Sequence, residues 1–419
     1  MKRFVLKCAM ITIVCLLVTF TFNISSAYKA AALKYNTIDL KDSNEIIFKD
    51  SNLEKAVRDK INKPTGALSK SDVGGIDELD IEYGNITYLD GIENLTGLKR
   101  LCLSNNNISD INLLGNLTNL TDLSLQGNNI SNINSLSNLT KLNVLSLNEN
   151  KISDVKAVAS LSNLTSLNLS QNQICDISSL ANLTNLNYIN LQQNQISDID
   201  CLRNLTNLNK IDLLNNKLSD NSHLDALGNL VNLQELNLAN NIISNISFFN
   251  NTLDKLHYVD LSNNHIVNVK PLVNLSNIQS ITLSGNNGVN NISDLASLNS
   301  VNYIDLSNTN VTDISSISSL KTLTTLNLEN TKIDIKTFTG FNNLTHLNLC
   351  DDNISDIGFL SNLTNLTNLY LSDNNISNVT TLEKLVKLKY INLANNNITS
   401  QDIENLKSAL PRCRILTEE

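Results

Sequence analysis

LKRLCLSNNNISDINLLGNLTN (98–119), LTDLSLQGNNISNINSLSNLTK (120–141) and LNVLSLNENKISDVKAVASLSN (142–163) are consecutive stretches that repeat one pattern at a period of 22. With the first residue of each as position 0, apolar side chains fall at positions 0, 3, 5, 10, 13, 16 and 19. The pair at 3 and 5, as in Leu123-Ser124-Leu125, is the alternation of a strand with one buried face. Units with this pattern begin at 76, 98, 120, 142, 164, 186, 208, 233, 256, 278, 301, 323, 344, 366 and 388, the first and last in modified form. Each predicts a short strand, a turn and an irregular or 3-10 return segment. Stacked in parallel at ~4.8 Å, fifteen such strands span roughly 65–70 Å. Positions 3 and 5 then face a core, and positions 2, 4 and 6 face the concave surface.

A chain of 419 residues ordinarily suggests two or three domains, but a solenoid grows by stacking and stays one body. The composition agrees: no Trp, three Pro and 4% aromatic residues allow a long aliphatic core and not a varied one. Residues 1–27 read as a secretory signal peptide. Lys2, Arg3 and Lys7 form the basic start, Ala9–Phe22 the apolar run, and Ser25-Ser26-Ala27 the small residues before cleavage. Its removal takes away three bases and no acids, and the formal charge moves from −9 to −12. Such a chain repels phosphate backbones, so nucleic acid is not an expected partner. No later segment reads as a membrane span. Cys102, Cys175, Cys201, Cys350 and Cys413 are odd in number and lack metal or disulfide spacing.

Position 8 is Asn in most units, for example Asn106, Asn128, Asn194 and Asn374. A buried amide there can both donate to and accept from turning backbone, so the column reads as structural. Thr309, Thr331 and Asp352 interrupt it in three successive units, which predicts local loosening. Position 12 is commonly Asp or Asn, placed to cap the return segment. A calcium ladder needs six to eight converging oxygens, which one carboxylate per coil does not supply. No metal and no cofactor is expected. The N-x-[ST] triplets, such as Asn116-Leu117-Thr118, recur because Leu is needed between them, not as glycosylation signals.

An open stack needs caps. Ser51-x-x-Glu54 reads as a capping box opening a helix with Leu53, Val57 and Ile61 on one face, ended by Pro64 and Gly66. After Ser400, the residues Ile403, Leu406 and Leu410 mark a second helix, and Cys413-Arg414-Ile415 a final edge strand. The chain thus divides into 1–27, a leader and helical cap over 28–75, repeats over 76–398 and a C-terminal cap over 399–419. The L-x-x-L-x-L-x-x-N-x-I pattern is similar to the leucine-rich-repeat signature. With the cap Ile46-Ile47-Phe48-Lys49-Asp50-Ser51-Asn52-Leu53-Glu54 and units carrying N-x-I-S-D-I and N-L-T-N-L, residues 44–398 resemble the secreted internalins of bacteria. The resemblance implies a rigid α/β solenoid that binds host proteins on its concave sheet. An immunoglobulin-like domain, a wall-sorting signal and wall-binding modules, present in better-known members, are not found in this sequence.

Binding residues have no fixed places in that family, so the concave columns decide. Tyr188, Tyr258, Tyr303 and Tyr390 fall at position 2 and Tyr370 at position 4, with Asp260 and Asp305 beside two of them. His346, Tyr370 and Tyr390 belong to successive units and should form one aromatic strip. Tyrosine offers large rigid contact area and a hydroxyl at low entropic cost, whereas the plain alternative is that it favours strands. Asp212, Glu235, Glu329, Asp351 and Asp373 on the same face favour a basic or hydroxyl-rich partner. No H-E-x-x-H, G-x-S-x-G, P-loop or dinucleotide fingerprint occurs. His346 and Cys350 are four residues apart on one strand, roughly 13 Å, too far for a catalytic pair. The expected function is a secreted or loosely surface-held monomer recognising a protein or glycoprotein. The alternative is an envelope-structural or glycan-binding protein.

Overall fold

Each repeat unit contributes one three-residue strand to a single parallel sheet in the computed structural model, which describes residues 45–418. These strands run in sequence order from Glu78–Asp80 to Tyr390–Asn392, and Arg414–Leu416 adds a further parallel strand at the C-terminal edge. Position 2 pairs with position 2 at each step, as in Arg100↔Asp122↔Val144. The return segments are short 3-10 helices such as Asn112–Asn116 and Lys156–Ser160. Between sheet and returns lies the core. In the unit at Leu98, the side chains of Leu98, Leu101, Leu103, Ile108, Ile111, Leu114 and Leu117 are all buried. One coil cannot close such a core, and stacking supplies its walls.

Two columns turn the chain off each strand. Position 7 is left-handed in every coil, from Tyr83 (φ 54°) through Asn105 (φ 57°) and Gly127 (φ 64°) to Asn395 (φ 55°). A side chain costs energy there, least for Gly and Asn, which explains the Asn-Asn and Gly-Asn pairs of the repeat. Position 8 is the expected amide bridge. Asn194 accepts from the Ile174 N–H at 3.0 Å and donates to the carbonyls of Leu169, Leu191 and Gln192 at 3.0–3.3 Å. One amide thereby ties two coils and satisfies four buried backbone groups. Asn194→Ala is expected to cost ~1–3 kcal/mol with the sheet surface unchanged. Loss of partner binding at an unchanged melting temperature would make the column a recognition element instead. Where Thr replaces Asn, the Thr309 and Thr331 hydroxyls donate to the carbonyls of Leu306 and Leu328, and Thr331 also lies 3.4 Å from Asp352 Oδ1.

The position-12 side chains cap the next segment: Asp110 accepts from Asn112 N–H, Asp154 from Lys156 and Asp176 from Ser178. Asp220 differs. It accepts from the Ser244 and Asn245 N–H groups of the following coil, because its own unit is 25 residues long. That long unit does not disturb the sheet, since Lys210 still pairs with Glu235. Its extra residues are taken up in the return, where His223 is left-handed and its Nδ1 lies 2.9 Å from Asp198.

The N-terminal helix, Ser51–Lys60, corrects the sequence reading: its N-cap is Asp50, not Ser51. Glu54 does not fold back to close a box but pairs with Arg58 at 2.8 Å. Asp50 wins because one carboxylate accepts both from the helix and from the first coil, at Thr87 and Tyr88. A true capping box stands at Ser69 and Asp72. At the other end, the helix Ser400–Ala409 buries Ile403 and Leu406 against the last coil. The expected signal peptide and leader, up to residue 44, lie outside the described residues.

Candidate functional site

The sheet surface is built by positions 2 and 4. Position 6 is partly withdrawn: Ser104, Asn148, Ser170 and Ser307 are buried, whereas Gln126, Ser262 and Glu329 stay part-exposed, so the column faces outward only in some coils. The strand is already bending toward the position-7 turn there, so its side chain tucks against the neighbouring coil.

The sequence-predicted residues fall into two groups. Tyr258 and Tyr303 stand on the same row two strands apart, with Ser280 between them. Both phenols are pushed up to about 12 by burial and by the carboxylates near them. They remain neutral hydrogen-bond donors at physiological pH. Tyr303 donates to Asp305 over 3.4 Å. Asp305 itself is only 9% exposed, and it accepts from the Ser307 N–H and hydroxyl. Much of its hydrogen-bonding capacity is therefore spent on its own turn. Asp260 accepts from the Ser262 N–H and remains partly exposed.

Beside Tyr258 lies a concavity of about 410 Å³, reached by Lys210, Asp212, Glu235, Asn237, His257 and Gln279 among others. Lys210 is paired with Glu235 at 2.6 Å. Burial raises the Asp212 carboxyl above its ordinary value, with Asp260 adding to the push. Sequence reasoning missed Lys210, His257 and Gln279. His257 and Gln279 occupy position 1, a column whose shared contribution to one depression becomes visible only when the coils are stacked. Tyr188 stands apart from Tyr258, next to Lys210 on the adjoining strand.

The second group is at the C-terminal end. The rings of Tyr370 and Tyr390 meet with centroids 5.3 Å apart, tilted by 48°. His346 is exposed two strands from Tyr390, with Nδ1 2.9 Å from the Thr345 hydroxyl. The strip is thus a tyrosine pair with a separate histidine. Cys350 takes its hydrogen bond from the Ser372 hydroxyl, so it and His346 have different partners. Among the described residues no group of His, Cys, Asp or Glu is arranged to hold a metal ion, and no helix is long and apolar enough to cross a membrane.

The family model of leucine-rich repeats in two copies matches residues 96–139, 140–182, 231–273, 342–384 and 364–408. The internalin InlF of Listeria monocytogenes is 29% identical over 83% of this chain and 96% of its own, with a TM-score of 0.70. The chain is an internalin-like leucine-rich-repeat protein. That kinship supports a role in protein interaction. The fold alone is shared with a leucine-rich-repeat protein of Leptospira interrogans, at 22% identity and TM-score 0.71 over 83% of this chain and 97% of that one. It is also shared with the functional domain of InlJ of Listeria monocytogenes, at 24% identity and TM-score 0.70, covering 87% and 77%. The cysteine ladder named for InlJ has no counterpart in this internalin-like chain, whose repeat cysteines occupy four different positions of the unit. No curated protein matches the sequence.

Proposed function

We propose that this chain is a secreted or surface-associated recognition protein, without catalytic activity, that binds a protein or glycoprotein partner on its sheet face. The observation that carries the reading is the placement of partly exposed tyrosines on a rigid sheet. Tyr258, Tyr303, Tyr370 and Tyr390 project from strands held on both sides by neighbouring coils. Little ordering is needed on association, so a few such side chains can carry most of the affinity.

Affinity capture from membrane and culture-associated proteins supplies the partner. Against it, Tyr303→Ala, Tyr370→Ala and Tyr390→Ala are each expected to lose more than tenfold, at ~2 kcal/mol or more for true hot spots. Ser146→Ala and Asn168→Ala in the N-terminal half should bind like the wild type. The reverse pattern, or loss on mutation of the return segments, places recognition on another surface.

A further inference from the structure

We propose that the sheet face from Tyr258 to Tyr390 is a groove for a proline-rich segment of the partner that bears Lys or Arg and lies in polyproline-II conformation. This rests on the reading that a protein binds the sheet face. Rings stand at Tyr258, Tyr303, His346 and Tyr390, and Ser280, Thr325 and Asn368 alternate with them in one unbroken position-2 row. Every second strand therefore carries a ring, a spacing of about 9.6 Å. A polyproline-II helix repeats every three residues at ~3.1 Å per residue, about 9.3 Å per turn. Laid across the strands, it meets one ring per turn and drifts by only ~1 Å over three turns. Other conformations fit worse. Three residues of an extended strand span the distance but bring the third side chain to the opposite face. Two turns of α-helix, ~10.8 Å, overshoot by more than 1 Å at each rung.

Charge selects the sequence of the occupant. On these strands no position 2, 4 or 6 is Lys or Arg, while Asp260, Asp305 and Glu329 are acidic. Asp260 and Asp305 again stand two strands apart, and Asp212 continues their row by two more. Asp260 and the mostly buried Asp305 stand beside the rings of Tyr258 and Tyr303 with the same two-strand spacing, which suits one proline and one cation in each of those two triplets, while Asn348 and Asn392 hold the same places beside His346 and Tyr390. The polyproline-II backbone leaves its carbonyls unpaired and open to solvent, so docking its side chains on the rings breaks no internal hydrogen bond. Being pre-formed, such a segment loses little entropy on docking.

The test is fluorescence anisotropy on the full chain with a labelled peptide of five Pro-Ser-Lys triplets. Controls are five Pro-Ser-Glu triplets and a peptide of the same Pro, Ser and Lys content with the three-residue period scrambled. The Lys triplets should bind at least tenfold more tightly than the scrambled peptide, more weakly as salt rises, and the Glu triplets not measurably. Tyr303→Ala, with its melting temperature checked, should lose at least tenfold. Equal binding of the scrambled peptide reduces the effect to net charge and overturns the proposal, as does no binding of the Lys triplets. If the triplets fail while a captured partner still depends on the tyrosines, the sheet-face reading stands and the polyproline-II occupant falls.

Discussion

Asp50→Ala should unravel the N-terminal end of the solenoid, at a cost of about 3–5 kcal/mol. The Asp50 side chain accepts from four N–H groups: Asn52 at 2.9 Å and Leu53 at 3.4 Å in the helix, Thr87 at 2.7 Å and Tyr88 at 3.2 Å in the first coil. It is the latch between cap and repeats. Losing an N-cap costs ~0.5–2 kcal/mol, and each backbone donor left buried without a partner adds ~1–3 kcal/mol, softened by partial rewetting. Asp50→Asn keeps an acceptor and should lose less. Burial pushes the Asp50 carboxyl up, but its four backbone hydrogen bonds outweigh that and hold it below the ordinary value. The contribution is therefore complete above about pH 4 and is lost as pH falls further. Hydrogen exchange of residues 45–95 and melting temperature measure both effects. A variant as well protected there as wild type would show that hydrophobic contacts, not the carboxylate, hold the cap.

The fold was legible because the repeat states its own register fifteen times. Each apolar position of the unit at Leu98 is buried as its spacing requires, and the Asn column makes the bridge its chemistry suggests. What the sequence hid was a choice between adjacent residues. Asp50 and Ser51 are both good caps, and only contact with Thr87, 37 residues away, decides between them. The left-handed position-7 column had a signal, its Asn and Gly content, but Tyr83, Glu149 and Gln171 masked it.

The candidate site was legible in one dimension. Position in the unit tells which side chains share the sheet face, and Tyr370 with Tyr390 came together as their succession implied. Exposure does not follow from position. Asp305 and Asp260 are equivalent by sequence, yet Asp305 is buried and Asp260 is not: the Ser307 N–H and hydroxyl both donate to Asp305, whereas Ser262 gives Asp260 only its N–H. A serine stands two residues after both, so the sequence cannot announce which hydroxyl turns back.

Asp352→Asn is expected to be a gain, about 2 kcal/mol at pH 7.5. Asp352 Oδ2 is the one buried side-chain oxygen without a partner among the described residues. Its other oxygen accepts from the Thr331 and Lys332 N–H groups at 2.7 and 2.9 Å. In the next coil the matching atom is Asn374 Nδ2, which donates to the carbonyls of Leu349, Leu371 and Ser372. The column thus holds a partnerless carboxylate oxygen where the next coil holds a donating amide nitrogen, and Asp352 can donate there only when protonated. Burial, reinforced by the charge of Asp351, pushes Asp352 up to about 6 against the hydrogen bonds that favour its ionised form. Because the folded value lies above the unfolded one, ionisation penalises the fold. The penalty is absent below about pH 4, grows between 4 and 6, and is complete above 6. Over that window the wild type loses stability as pH rises, a range in which Asp50 contributes a constant amount. An asparagine restores the donor and does not titrate, so the variant's advantage should vanish at pH 4. Thermal melts at both pH values, with hydrogen exchange of residues 328–354, read this directly. An equal gain at both would assign it to packing. Since each coil leans only on its neighbours, the ionised turn weakens the sheet beside Tyr370, and partner affinity at pH 7.5 should rise in the same variant.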